Sequence, residues 1–146
     1  LALACDLRVA SAASSYIMAF VKIGLVPDSG AAHLLPRTVG MAEALALSLT
    51  GERIDADEAL RIGLVTRVVP AEDLMKHAGE LAQTLAALPT RAIAITKRLL
   101  REASRATLTE ALDLEADAQD EAGATNDHIE GVLAFLEKRQ PTFTGT

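Results

Sequence analysis

The sequence predicts an α/β fold in which short strands come first and helices follow. Apolar, β-branched runs bounded by small residues or proline stand at residues 5–10, 16–18 and 64–69. From residue 31 onward, apolar residues recur mainly at helical spacing between capping residues, glycines and prolines. The chain also holds 28 alanines, and alanine is the strongest helix former. It opens without Met inside the apolar run Leu1-Ala2-Leu3-Ala4-Cys5, so we expect a longer parent chain whose N-terminal part, absent here, carries most of the sheet.

Each element has its own signal. Residues 5–10 alternate and reach Val9 near their end, residues 16–18 form a second apolar run, and the small residues 11–15 make the turn between them. Pro27-Asp28-Ser29-Gly30 is a turn feeding a helix that runs to about Thr38 and is closed by Gly40. Residues 41–49 form a second helix, stopped by Thr50-Gly51. Asp55 with Glu58 reads as a capping box for a short helix ending at Gly63, and a strand over 64–69 is ended by Pro70. Helices follow at 71–87 and 90–104. Thr107 with Glu110 boxes a helix reaching about Ala122, and Asp127 with Glu130 caps a last one ending near Arg139. The expected division is residues 1–70, a mixed core, and residues 71–146, a helical region.

Composition excludes several classes. Half of the chain is apolar and 23% is charged, so disorder is excluded. The apolar stretch at residues 16–27 is broken by Lys22 and is too short to span a bilayer, and no membrane partner is expected. One cysteine, Cys5, makes no internal disulfide, and three scattered histidines build no zinc cluster, so we expect no metal site and a cytoplasmic home. The net charge of −6 belongs to the last third, where no Lys or Arg stands between Arg105 and Lys138. With four aromatics besides, nucleic acid is not an expected partner.

Few residues can carry chemistry. There is no P-loop, no Gly-x-Gly-x-x-Gly and no Gly-x-Ser-x-Gly. His77 and His128 read as helix-surface residues, and His33 follows Asp28 by more than one helical turn, which leaves only a weak dyad. Asp28 stands out, an acid after Pro27 in an otherwise apolar stretch and just before a helix. Its bland reading is a helix cap, accepting N-terminal amide hydrogen bonds. Its functional reading is a general base on a turn beside an apolar pocket.

Cys5-Asp6-Leu7-Arg8-Val9-Ala10 and Ile23-Gly24-Leu25-Val26-Pro27-Asp28-Ser29-Gly30 resemble the core of the crotonase, or enoyl-CoA hydratase/isomerase, superfamily. Leu35-Pro36-Arg37-Thr38-Val39-Gly40, Leu49-Thr50-Gly51-Glu52-Arg53-Ile54, residues 59–69, and Ala134-Phe135-Leu136-Glu137-Lys138-Arg139 with Phe143 continue the likeness in order along nearly the whole chain. The stretch Met18-Ala19-Phe20-Val21-Lys22-Ile23-Gly24-Leu25-Val26-Pro27-Asp28 is most similar to that of the isomerase members, epoxyphenylacetyl-CoA isomerases and enoyl-CoA isomerases among them.

This resemblance implies the C-terminal part of a crotonase-like fold, a ββα superhelix core followed by a helical trimerisation region. It implies an acyl-CoA isomerase assembled as a homotrimer or dimer of trimers, with no cofactor beyond the coenzyme A carried by the substrate. Asp28 matches the carboxylate of the isomerases, with Phe20, Ile23, Gly24, Leu25 and Pro27 as pocket wall. Hydratases of the family keep a Glu where this chain has Phe20, four residues before Gly24. The oxyanion-hole amides and a second hydratase Glu fall before Leu1. Lys138 and Phe135 match positions near the CoA nucleotide, often contributed across a subunit contact. On the residues alone, Lys138 is equally a solvated last-turn lysine, and Phe135 a core residue of the last helix. An enoyl-CoA hydratase and a catalytically silent crotonase-fold assembly module remain the alternatives.

Overall fold

The computed structural model describes residues 1–146, which form two compact units, Leu1–Gly79 and Glu80–Thr146. The boundary falls inside a helix.

In the first unit, a 3-10 turn, Ala2–Ala4, leads to strands β1 (Val9–Ser11) and β2 (Ser15–Ile17). A second 3-10 turn, Ala19–Ile23, precedes helices α1 (Ala31–Val39) and α2 (Met41–Thr50), then β3 (Arg53–Asp55), α3 (Ala56–Arg61) and β4 (Arg67–Val69). β1 pairs in parallel with β4, Val9 opposite Arg67, while β2 pairs antiparallel with β3, Tyr16 opposite Ile54. The parallel pair needs a crossover, and α1, α2 and α3 supply it. Its core is Ala10, Leu35, Ala44, Leu47, Ala59, Leu64 and Val65. α1 and α2 are joined by Gly40 alone, at φ 81° and ψ 161°, a conformation open essentially only to glycine.

The sequence expectation is corrected at four places here, the first being the strand expected over 5–10, which is only Val9–Ser11. The strand expected over 64–69 is only Arg67–Val69, because Leu64 and Thr66 turn to meet Arg8. Arg8 Nε donates to the Leu64 carbonyl (2.6 Å), and the Arg8 N–H donates to Thr66 Oγ1 (3.1 Å). Asp55 does cap α3, accepting from the Glu58 N–H at 2.9 Å, but there is no reciprocal box. Both Glu58 oxygens accept from Arg61 at 2.6 Å, which holds the Glu58 carboxyl below its usual range. β3 was not foreseen, since a three-residue strand with one half-buried side chain leaves no periodicity to read.

The 3-10 turn Ala71–Asp73 and helix α4 (Leu74–Ala86) lead toward the second unit, which holds α5 (Thr90–Ala103), α6 (Leu108–Gly123) and α7 (Asn126–Glu137). The capping box of α6 is complete. The Thr107 N–H donates to Glu110 (2.8 Å), and Thr107 Oγ1 accepts from the Glu110 N–H (3.4 Å). α5 is tied to α6 through Arg98 and Arg91, which both pair with Glu121. α7 corrects the sequence reading. Its cap is Thr125, not Asp127. Asp127 is buried and accepts instead from the N–H groups of Thr144 (2.7 Å) and Gly145 (2.9 Å), folding residues 140–146 back along α7. Few side chains of this unit are buried, among them Ile95, Ala118 and Ala134, while Leu108, Leu112, Ile129, Val132, Leu133 and Leu136 stay exposed. No helix of the chain is long and apolar enough to cross a membrane.

Candidate active site

After β2 the chain must reverse before α1, and residues 18–30 do this in two steps. The turn Ala19–Ile23 ends on Gly24, left-handed at φ 71° and ψ 22°. There the Leu25 N–H donates to the Phe20 carbonyl (2.9 Å) and the Gly24 N–H to the Val21 carbonyl (3.1 Å). This paired closure is the Schellman arrangement, and it needs a residue at ease with positive φ just past the end of the turn, here Gly24. The stems of Val21 and Lys22 rest on the bare face of Gly51 at the end of α2, where a Cβ would come within 2.9 Å of Lys22 Cε.

The second step places Asp28. Ser29 at φ 50° and Gly30 at φ 82° form a tight turn in which the Asp28 carbonyl accepts from the Ala31 N–H at 2.8 Å. This turn makes Gly30 the N-cap of α1, with no side-chain cap. The helix-cap reading of Asp28 is therefore corrected: two left-handed residues separate its carboxylate from the helix it was expected to cap. Asp28 is exposed, and its carboxylate has no hydrogen-bond or ionic partner within the chain. Ser29 occupies a conformation L-residues rarely adopt, and such strain gathers at functional sites. In the residues that lead to it, Ile23 (75% exposed), Leu25 and Val26 are apolar and exposed, and Phe20 and Pro27 are half-buried. A carboxylate with no partner in the chain is free to exchange protons with a weakly acidic carbon of a bound substrate.

The remaining candidates lie elsewhere. His33 makes no hydrogen bond to Asp28, and its Nδ1 meets Arg37 at 3.1 Å. Cys5 is exposed, with only a long sulfur contact to the Leu1 carbonyl. A cleft of about 600 Å³ in the first unit is lined by core residues such as Leu35, Leu47, Leu64 and Val65, with Tyr16, Met18 and Arg8. Neither Asp28 nor the five expected pocket residues line it, and it holds no carboxylate. No group of three His, Cys, Asp or Glu stands close enough to hold a metal ion.

In the second unit, Phe135 is 82% exposed, which corrects its reading as a core residue, and it edges a groove of about 400 Å³ with Phe143, Val132 and His128. Phe143 lies over Gly131, where a Cβ would meet its ring at 3.7 Å. Lys138 closes α7 in a left-handed conformation, φ 55° and ψ 38°, and its ammonium has no partner. Beside it lies a feature that the sequence reading missed. Glu130 accepts from Arg139 through both oxygens (2.6 and 2.8 Å) and from the Thr142 N–H (2.8 Å). Arg139 and the Thr142 N–H together hold the Glu130 carboxyl down at about 2, below the ordinary 4.5. Between these values the folded protein binds fewer protons than the unfolded one, so this contribution to stability is complete above pH 4.5 and is lost as the pH falls through about 2. The Thr142 amide resonance is expected to titrate with a midpoint near 2, and a midpoint near 4.5 would show the contact absent in solution.

Comparison with known proteins fits this frame. The sequence model of the family described as enoyl-CoA hydratase/isomerase matches residues 1–146. The chain is 43% identical over 145 residues to the 1,2-epoxyphenylacetyl-CoA isomerase of Escherichia coli K12, covering 99% of this chain and 55% of that protein. It is 44% identical to a probable enoyl-CoA hydratase of Rhodobacter capsulatus, covering 99% of this chain and 56% of the relative. A putative enoyl-CoA hydratase/isomerase from Mycobacterium abscessus superposes with a TM-score of 0.97 at 41% identity, over 100% of this chain and 56% of its own. The chain thus spans little more than half the length of these relatives. A match along every residue, at this identity and with this agreement in fold, means that the chain belongs to the enoyl-CoA hydratase/isomerase family and has the crotonase-like fold.

Proposed function

We propose that the chain is the C-terminal part of an acyl-CoA isomerase in which Asp28 shuttles the proton. The observation that carries this reading is the unpartnered carboxylate of Asp28, held at a strained turn that follows the exposed apolar residues Ile23, Leu25 and Val26 in the chain. In a double-bond migration, Asp28 takes a proton from the carbon next to the thioester carbonyl. The C–H electrons pass into the conjugated system as a dienolate. The new carboxylic acid then returns the proton two carbons farther along, and the double bond has moved. No water is consumed and the base is regenerated. An oxyanion hole for the enolate oxygen comes from residues outside this chain. An epoxide rearrangement on the same thioester is the other isomerisation open to the site, and the name of the Escherichia coli relative favours it. The test is a direct comparison of isomerisation and hydration by the full-length protein, with and without the Asp28 carboxylate.

Hydration is the second reading, supported by the relatives named probable enoyl-CoA hydratases. Phe20 opposes it, for a phenyl ring neither orients nor deprotonates water.

We place the CoA nucleotide at Lys138 and Phe135, an exposed cation and ring on a unit otherwise rich in acids. The protein is cytoplasmic in this proposal and works as a homotrimer or dimer of trimers. The exposed apolar residues of α6 and α7 argue for assembly, since single chains rarely leave so many leucines bare on neighbouring helices. Sedimentation of the full-length protein at micromolar concentration is expected to show the trimer or its dimer; monomer alone would refute the assembly.

A further inference from the structure

The end of α7 is built as a Schellman closure. The Arg139 N–H donates to the Ala134 carbonyl (3.0 Å) and the Lys138 N–H to the Phe135 carbonyl (3.3 Å), which puts Lys138 in the left-handed position. Glycine is the ordinary occupant of that position, because a Cβ is unfavourable there. This chain uses glycine at its other positive-φ helix ends, Gly24, Gly40, Gly51 and Gly63. Lysine at 138 is therefore an exception within one molecule, and its backbone is held in place by something stronger than its own preference.

That restraint is visible. Immediately after Lys138, Arg139 is gripped by both oxygens of Glu130, a full two turns back on α7, and also by Glu137 at 2.6 Å. Glu130 takes the Thr142 N–H as well, so the chain is pinned on the far side of the reversal. The Lys138 side chain takes no part in any of this. Such backbone strain gathers at functional sites, which turns attention to what the Lys138 side chain meets outside the chain.

We infer that Glu130, acting through Arg139, is a positioning residue that holds Lys138 in its left-handed conformation and so presents the ammonium to a phosphate of the CoA thioester. This rests on the reading of Lys138 as the nucleotide's partner. Glu130 touches no substrate. The negative charges nearest the ammonium in sequence, Glu130 and Glu137, are both engaged by Arg139, which leaves Lys138 free to meet an anion.

The experiment uses the full-length protein and one acyl group carried on CoA and on dephospho-CoA. Lys138→Ala is expected to raise KM for the CoA thioester about tenfold, the size of one charge-assisted contact, with kcat within twofold and a smaller change for dephospho-CoA. The loss is expected to fade as salt rises. Glu130→Gln is expected to reproduce that pattern at roughly three- to tenfold, and Lys138→Ala/Glu130→Gln to be no worse than Lys138→Ala alone, since both act on one contact. Lys138→Gly is expected to match Lys138→Ala in KM while the thermal midpoint is unchanged or higher, because glycine relieves the backbone. If Lys138→Ala weakens both thioesters equally or neither, the nucleotide reading falls. If Lys138→Ala behaves as stated but Glu130→Gln leaves KM unchanged, lowers kcat, or adds to Lys138→Ala, the positioning role of Glu130 falls. A Lys138→Gly protein with a lowered midpoint would show that the lysine is kept for the fold, and would also overturn it.

Discussion

Replacing Asp28 by Asn in the full-length protein is expected to lower the isomerisation turnover number by about a thousandfold or more, toward the upper range of what one positioned acid–base group supplies. Asparagine keeps the shape of the side chain and removes its ability to accept the proton. Structure argues that little else will change. The Asp28 carboxylate is exposed and makes no hydrogen bond, and the turn that follows is closed by its backbone carbonyl, which the variant retains. The thermal midpoint should therefore stay within about a degree or two, as for a surface change away from any cap or core contact. Thioester affinity should change by less than about threefold, because the substrate is held by other parts of the site. A variant that keeps a tenth or more of the wild-type turnover would remove Asp28 from the chemistry. Equal losses of turnover and stability would return it to a structural role.

Asp28 was legible as a candidate because an acid between Pro27 and a helix start is conspicuous in an apolar stretch. The turn that frees it from α1 was not, since nothing in the identity of Ser29 announces a φ of 50°. A similar divide runs through the caps. One pattern, an N-cap candidate with Glu three residues on, occurs at Thr107, Asp55 and Asp127 with three outcomes. At Thr107 the box forms because no competing cation takes Glu110. At Asp55 half forms, because a bidentate, charge-assisted bond to Arg61 outcompetes a single backbone N–H for Glu58. At Asp127 none forms, because Thr125 caps first and the carboxylates of Asp127 and Glu130 go to partners between Arg139 and Gly145. Those partners lie well beyond the span of a helical turn, so a local window cannot see them. Helix bodies were readable because periodicity repeats over many residues, whereas β3 and the Ala19–Ile23 turn were not, since tertiary pairing makes the one and a single closing glycine the other.

Hydration of a 2-enoyl-CoA is expected to run about a hundredfold or more slower than double-bond migration on a matched acyl chain, the lower bound of what a general base contributes to attack by water. The two reactions need different things from the same site. Migration needs one carboxylate that can reach two carbons of a planar dienolate in turn. Hydration needs a water molecule held over the double bond, a group to take its proton, and a group to deliver one to the neighbouring carbon. Phe20 offers none of these. Its side chain is apolar, and its carbonyl is already engaged by the Leu25 N–H. Ile23, Leu25 and Val26 add no polar atom from their side chains that could orient a water for attack. The measurement is both rates on one full-length preparation, at one pH, with 2-enoyl and 3-enoyl thioesters of equal chain length. Hydration faster than migration would overturn the isomerase reading and leave Asp28 to work with a second carboxylate supplied from outside this chain. Slow hydration that rises in Phe20→Glu, with migration falling, would locate the choice between the two reactions at that single side chain.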